Sequence, residues 1–175
     1  LMHWMREIIE NRHLDLGLPD VDTSGDDRKQ PDTVIYETLR SQKVLCVLEA
    51  KPPYYDVFDE KDLKEPGRQK ATHRKAKYFV TTNFKRFIWF NTEKVNSLKP
   101  EEEQVIEKYN FSEIEILDEI EQPRYRDPIK KGLEDFLLRL YAVHTGKEPE
   151  PQLAIDDYLI FRLQEKIRVL SKYYK

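Results

Sequence analysis

The chain has 175 residues, 39% hydrophobic and 36% charged, with a net charge of −3 at neutral pH. A chain of this length and composition buries one core of ordinary size with a helical extension, and its negative balance excludes a uniformly basic nucleic-acid binder. Apolar runs reach only about five residues, so nothing approaches a membrane span, and the N-terminus carries no signal-peptide pattern.

Cys46 is the single cysteine. It excludes an internal disulfide, fits a reducing compartment, and in an apolar strand reads as packing rather than as a nucleophile. No Cys/His cluster has zinc spacing, and the five glycines form no phosphate-cradling loop. Methyl transfer and ATP hydrolysis are therefore not encoded in this stretch.

In chain order, a first helix is expected over Met2 to Leu16, with Trp4, Ile8, Ile9 and Leu16 as its apolar stripe. Pro31-Asp32 then enters a strand, Thr33 to Leu39. Arg40 to Lys43 form a polar connection, and a second strand follows, Val44 to Ala50, so the pair reads as an antiparallel hairpin. With Leu39 opposite Val44, Asp32 lies across from Lys51 and Val34 across from Glu49. Opposed residues share a face and side chains alternate along a strand, so Asp32, Glu49 and Lys51 point to one side. The run Val44 to Leu48 is apolar on both faces, the pattern of a strand covered on both sides.

Two carboxylates and a lysine at a strand end are what a Mg²⁺-dependent phosphodiester hydrolase needs. An E-x-K triplet ordinarily marks a solvated strand end or a weak surface ion pair. Glu49-Ala50-Lys51 is nonetheless the only one among 33 acidic and 30 basic residues, and it directly follows an apolar strand, where ionised groups are costly. That context favours a site.

The segment Pro52 to Phe58 breaks the strand as a loop. A second helix, Gly67 to Lys77, carries Gln69 and His73 one turn apart. Strands Tyr78 to Thr82 and Arg86 to Asn91 follow, with a further short strand within Val105 to Ile116. After Pro123 the pattern turns helical. Asp127 caps a helix with Pro128 at its first position, and Ile129, Leu133, Phe136, Leu137, Leu140 and Tyr141 form its buried stripe. Ile155, Leu159, Leu163, Ile167 and Leu170 give a last helix a second packing stripe. The division is a core over residues 1–122 and a helical extension or connector over 123–175.

Charge is unevenly placed along the chain. Residues 61–86 hold nine Lys or Arg against Asp62 and Glu65, and residues 101–121 hold nine acids against Lys108 alone. Lys64, Arg68, Lys70, Arg74 and Lys75 are the candidate DNA contacts. The plain alternative is a solvated lysine-rich helix.

Pro-Asp before a strand, a second strand ending in Glu49-Ala50-Lys51, a helix with Gln69, and the strand Tyr78 to Asn83 together resemble the PD-(D/E)xK nuclease superfamily. The stretch AKYFVTTNFKRFIWFN resembles, more narrowly, the N-terminal nuclease region of restriction enzymes that also carry an adenine methyltransferase. The resemblance covers about residues 5–92. It implies an α/β restriction-endonuclease-like core, a mixed four- to five-stranded sheet flanked by helices. It also implies Mg²⁺, with Mn²⁺ able to substitute, held by Asp32, Glu49, the carbonyl of Ala50 and a helix acid, for which Glu7 is the preferred match. Lys51 would serve the attacking water, and Gln69 would sit near that water or a phosphate. The partners implied are DNA and methyltransferase and target-recognition domains in the same polypeptide or complex, in a prokaryotic cytoplasm, with this chain an N-terminal fragment. The alternative is a non-catalytic nuclease fold that clamps DNA or docks partner domains; RNA or branched substrates would use the same site.

Overall fold

A computed structural model describes residues 1–17 and 33–173. The element order is α1 (Met2–Asn11), β1 (Thr33–Tyr36), β2 (Val44–Ala50), α2 (Glu65–His73), β3 (Tyr78–Thr82), β4 (Arg86–Asn91), α3 (Thr92–Asn96), α4 (Glu101–Gln104), β5 (Val105–Asn110), α5 (Pro123–His144) and α6 (Ile155–Tyr173). A π-helical turn, Glu60–Lys64, leads into α2.

The five strands form one mixed sheet in the order β1-β2-β3-β4-β5, antiparallel except for the parallel pair β2–β3. Parallel neighbours need a crossover, and the loop, π turn and α2 between β2 and β3 supply it. Strict alternation along β4 divides its side chains between two cores. Phe87 and Trp89 join α1 and α5 on one face, and Ile88 and Phe90 join α2 and α6 on the other.

On the first face Phe136 of α5 stands 4.6 Å from the Phe87 ring and 5.6 Å from that of Trp89. The helices α5 and α6, expected as an extension, thus furnish a covering helix to each side of the sheet. On the second face α6 lays Tyr158 and Phe161 against Phe58. Its hold is also ionic: Arg86 Nε donates to Glu165 Oε1 at 2.9 Å, with both residues buried. Glu113 accepts from both Arg86 and Arg168.

β2, β3 and β4 have the expected bounds. The hairpin differs in register: Val34 faces Val47 and Thr33 faces Leu48, and a bulge between Ile35 and Tyr36 ends β1 early. The slip from the expected pairing of Val34 with Glu49 is two residues, an even number, so Thr33 to Ile35 keep their expected faces, while beyond the bulge Val44 joins the core opposite to that of Cys46 and Leu48. The first helix stops at Asn11, although Leu16 beyond it is still fully buried. The long helix begins at Pro123 rather than after Asp127 and absorbs Pro128 as its sixth residue, giving up the bond an N–H there would make to the Arg124 carbonyl.

The largest departure is α6. Its aliphatic stripe faces outward, and Tyr158, Phe161 and Glu165 make the contact with the sheet. Periodicity fixes the direction in which a helix is apolar, but not whether the element covering that side lies within the chain.

Candidate active site

Glu49 and Lys51 end β2, beside the equivalent end of parallel β3. Glu49 is opposite Thr81 in that ladder, and the Lys51 amide donates to the Thr82 carbonyl at 3.0 Å, so the chain stays extended through the lysine. This brings the Lys51 ammonium to 3.8 Å from Glu49 Oε1. Glu49 is only 3% exposed, whereas a third of the Lys51 side chain remains accessible. A buried carboxylate is costly unless cations or hydrogen-bond donors meet it. Here the Lys70 ammonium of α2 donates directly to Glu49 Oε2.

α2 reaches this position because Gly67 lets it lie close to the sheet. A Cβ at Gly67 would stand 3.0 Å from the Phe79 ring and 3.6 Å from the Glu49 Cβ. Gly67 and Ala71 mark the sheet-facing side of α2, and Lys70 lies on it. Lys70, expected from the sequence among the DNA contacts, pairs with Glu49 instead of standing free on the surface, and its i+3 spacing from Gly67 is the signal that could have placed it there. Gln69 is turned the other way, exposed, and its amide donates to Glu65 Oε1 at 2.7 Å. The Glu65 carboxyl is held below its ordinary range chiefly by the hydrogen bond from Arg68. The structure therefore brings together Glu49, Lys51 and Lys70, and not Gln69. His73 is exposed at the end of α2.

Asp32 lies outside the described residues. Glu7 lies on α1, whose apolar side chains belong to the opposite core, and its carboxylate accepts from Lys130 of α5 at 2.9 Å. Glu7 is thereby removed from the Glu49 face. The Lys130 hydrogen bond holds its carboxyl below the usual range. Among the described residues no three His, Cys, Asp or Glu side chains cluster as a metal site.

The basic stretch is much less open than its sequence implies. Lys64 is buried between Glu60 at 3.2 Å and Glu101 at 3.5 Å. Arg68 donates to Glu65 and to Asn96. Lys85 pairs with Glu115, and Arg86 with Glu113 and Glu165. The acidic block thus folds back onto the basic one. Lys61, Lys75 and Lys77 remain exposed and Arg74 is half-buried.

The loop after Lys51 is pinned from β3 and the turn beyond it. Thr81 Oγ1 donates to the Val57 carbonyl at 2.9 Å, and the Asn83 amide to that of Tyr55 at 2.7 Å. Tyr54 projects into solvent with its ring 4.8 Å from that of Tyr55. A cavity of about 290 Å³ opens between this loop and α6, lined by Tyr54, Tyr55, Asn83, Lys85, Glu165 and Arg168 among others.

The fold is restriction-endonuclease-like: it matches the crystal structure of the type IIG restriction endonuclease BpuSI with a TM-score of 0.55 at 12% sequence identity. The match covers 83% of this chain and 16% of that enzyme, so the chain corresponds to a small part of BpuSI's length. No protein-family model and no curated protein matches the chain. No helix among the described residues is long and apolar enough to cross a membrane.

Proposed function

We propose that the chain is a metal-dependent nuclease domain that hydrolyses DNA phosphodiester bonds as part of a restriction-modification enzyme. One observation carries the reading: on a restriction-endonuclease-like fold, a nearly buried glutamate at an interior strand end is met by two lysine ammonium groups. The Glu49 position is built to draw positive charge. Its oxygen donors, with Asp32 and the Ala50 carbonyl, suit a hard divalent ion such as Mg²⁺ or Mn²⁺ rather than zinc. Such an ion, when bound, makes hydroxide available near neutral pH and offsets charge on the phosphorus centre.

The chain's own residues have separate tasks. Glu49 and Asp32 hold the ion, and Lys51 orients the attacking water and supports the phosphate oxygens. Lys70 adds a second ammonium beside it, so the phosphate group meets positive charge from both β2 and α2. On this reading methyltransferase and target-recognition functions reside elsewhere in the same polypeptide or complex. A purely DNA-clamping module is less well served, because five of the nine basic residues over 61–86 are held in internal ion pairs.

The test is nicking of supercoiled plasmid by the chain with Mg²⁺ or Mn²⁺ and then with chelator. Cleavage is expected only with the ion. Lys51→Ala should reduce it by at least about 10³-fold while DNA affinity stays within a few-fold, since exposed cations elsewhere supply most phosphate contacts. Cleavage that persists in chelator, or survives in Lys51→Ala, contradicts the reading.

A further inference from the structure

The helix α6 has two working faces, and the nuclease reading uses neither. One is seated on the sheet through Tyr158, Phe161 and Glu165. The opposite face presents Ile155, Leu159, Ile160, Leu163, Ile167 and Leu170, each 55–60% exposed. These side chains offer about 600 Å² per copy of contiguous apolar surface, at or beyond the largest patch of a typical monomer. Within the same arc lie two exposed charged residues, Asp156 toward the N-terminal end and Lys166 ten positions on.

The placement of those two charges selects the occupant. Two α6 helices laid antiparallel set Asp156 opposite the partner's Lys166, Leu159 opposite the partner's Leu163, and Ile155 opposite the partner's Ile167. By symmetry each contact occurs twice, as a self-complementary interface requires. In a parallel pair Asp156 would meet the partner's Asp156 and Lys166 the partner's Lys166, burying like charges together. Polar residues at seam positions act this way in paired helices, fixing register and orientation at some cost in stability.

We propose that the exposed face of α6 binds a second copy of this chain as an antiparallel helix pair. The dimer would bury about 1,200 Å² in total, the lower end of a specific interface, so association in the micromolar range is expected. This proposal is independent of whether the chain cleaves DNA, and its test reads mass rather than activity.

The test is sedimentation equilibrium of the full chain from about 1 to 200 μM, with circular dichroism confirming the fold of each variant. The wild type should move from monomer to dimer across that range. Leu163→Glu should remain monomeric. Asp156→Lys should weaken association at least ten-fold, and the double variant Asp156→Lys, Lys166→Asp should restore it, because the exchange rebuilds both cross-pairs. A wild type that stays monomeric throughout overturns the proposal, leaving the stripe to a different protein surface. A dimer indifferent to Leu163→Glu, or not rescued by the double exchange, overturns it equally.

Discussion

The two faces of the sheet solve different problems. On the α1/α5 side Ile129, Leu133, Phe136, Leu137 and Leu140 are completely buried against Leu48, Val80, Phe87 and Trp89, in an apolar layer whose polar atoms are few, among them the Cys46 thiol and the Tyr78 hydroxyl. On the α2/α6 side the apolar layer also surrounds Glu49, Lys64, Arg86 and Glu165, all ionisable and all nearly buried. Ordinary packing does not require charge at such depth. If the proposed function holds, the second face carries chemistry that the first does not, so substitutions on the two should fail in different ways.

The largest stability loss is expected on the first face. Phe136→Ala removes a ring in contact with Phe87 and Trp89 and should cost about 3–5 kcal/mol in chemical denaturation, while nicking per folded molecule stays unchanged. Equal loss of specific activity would mean that the two faces are not separable. Glu165→Ala removes the buried carboxylate that accepts from Arg86 Nε, leaving the guanidinium to Glu113 and the Lys85 and Ser112 carbonyls, and should cost about 1.5–3 kcal/mol by the same measurement. If it proves neutral, the ion pair does not hold α6 to the sheet. Leu163→Gln sits on the same helix but on its outward face, and should change stability by less than about 0.5 kcal/mol where the chain is monomeric. A cost comparable to that of Phe136→Ala would show the stripe to be core after all.

The smallest effect is kinetic. Cys46 is fully buried, and burial pushes its thiol above its ordinary range, so the reactive thiolate is both disfavoured and closed to reagents. Alkylation by iodoacetamide at pH 8 should therefore be undetectable in the native protein and rapid in denaturant. Fast labelling of the native chain would mean that the sheet between the two faces opens readily.

The contrast between α5 and α6 also marks the limit of what the sequence disclosed. Both helices show apolar residues at helical spacing; α5 buries its stripe, and α6 turns its stripe away and docks through two aromatics and a glutamate. Strand bounds for β2, β3 and β4 were legible because β-branched and aromatic runs end in polar turns. The hairpin register was not, because the bulge at Ile35/Tyr36 leaves no trace in composition. Glu49 and Lys51 were legible from their place after an apolar strand. Lys70 was read as a DNA contact because nearby cations in a sequence look alike until their acids are located, and Glu101, Glu113 and Glu115 fold back from far along the chain.

The central claim is that Glu49 is a buried carboxylate placed to hold a divalent cation, and titration calorimetry of the chain with Mn²⁺ addresses it most directly. The account predicts a saturable heat for the wild type that is lost in Glu49→Gln, a near-isosteric change that keeps a hydrogen-bond partner for Lys51 and Lys70. Indistinguishable Mn²⁺ isotherms for the wild type and Glu49→Gln would contradict it.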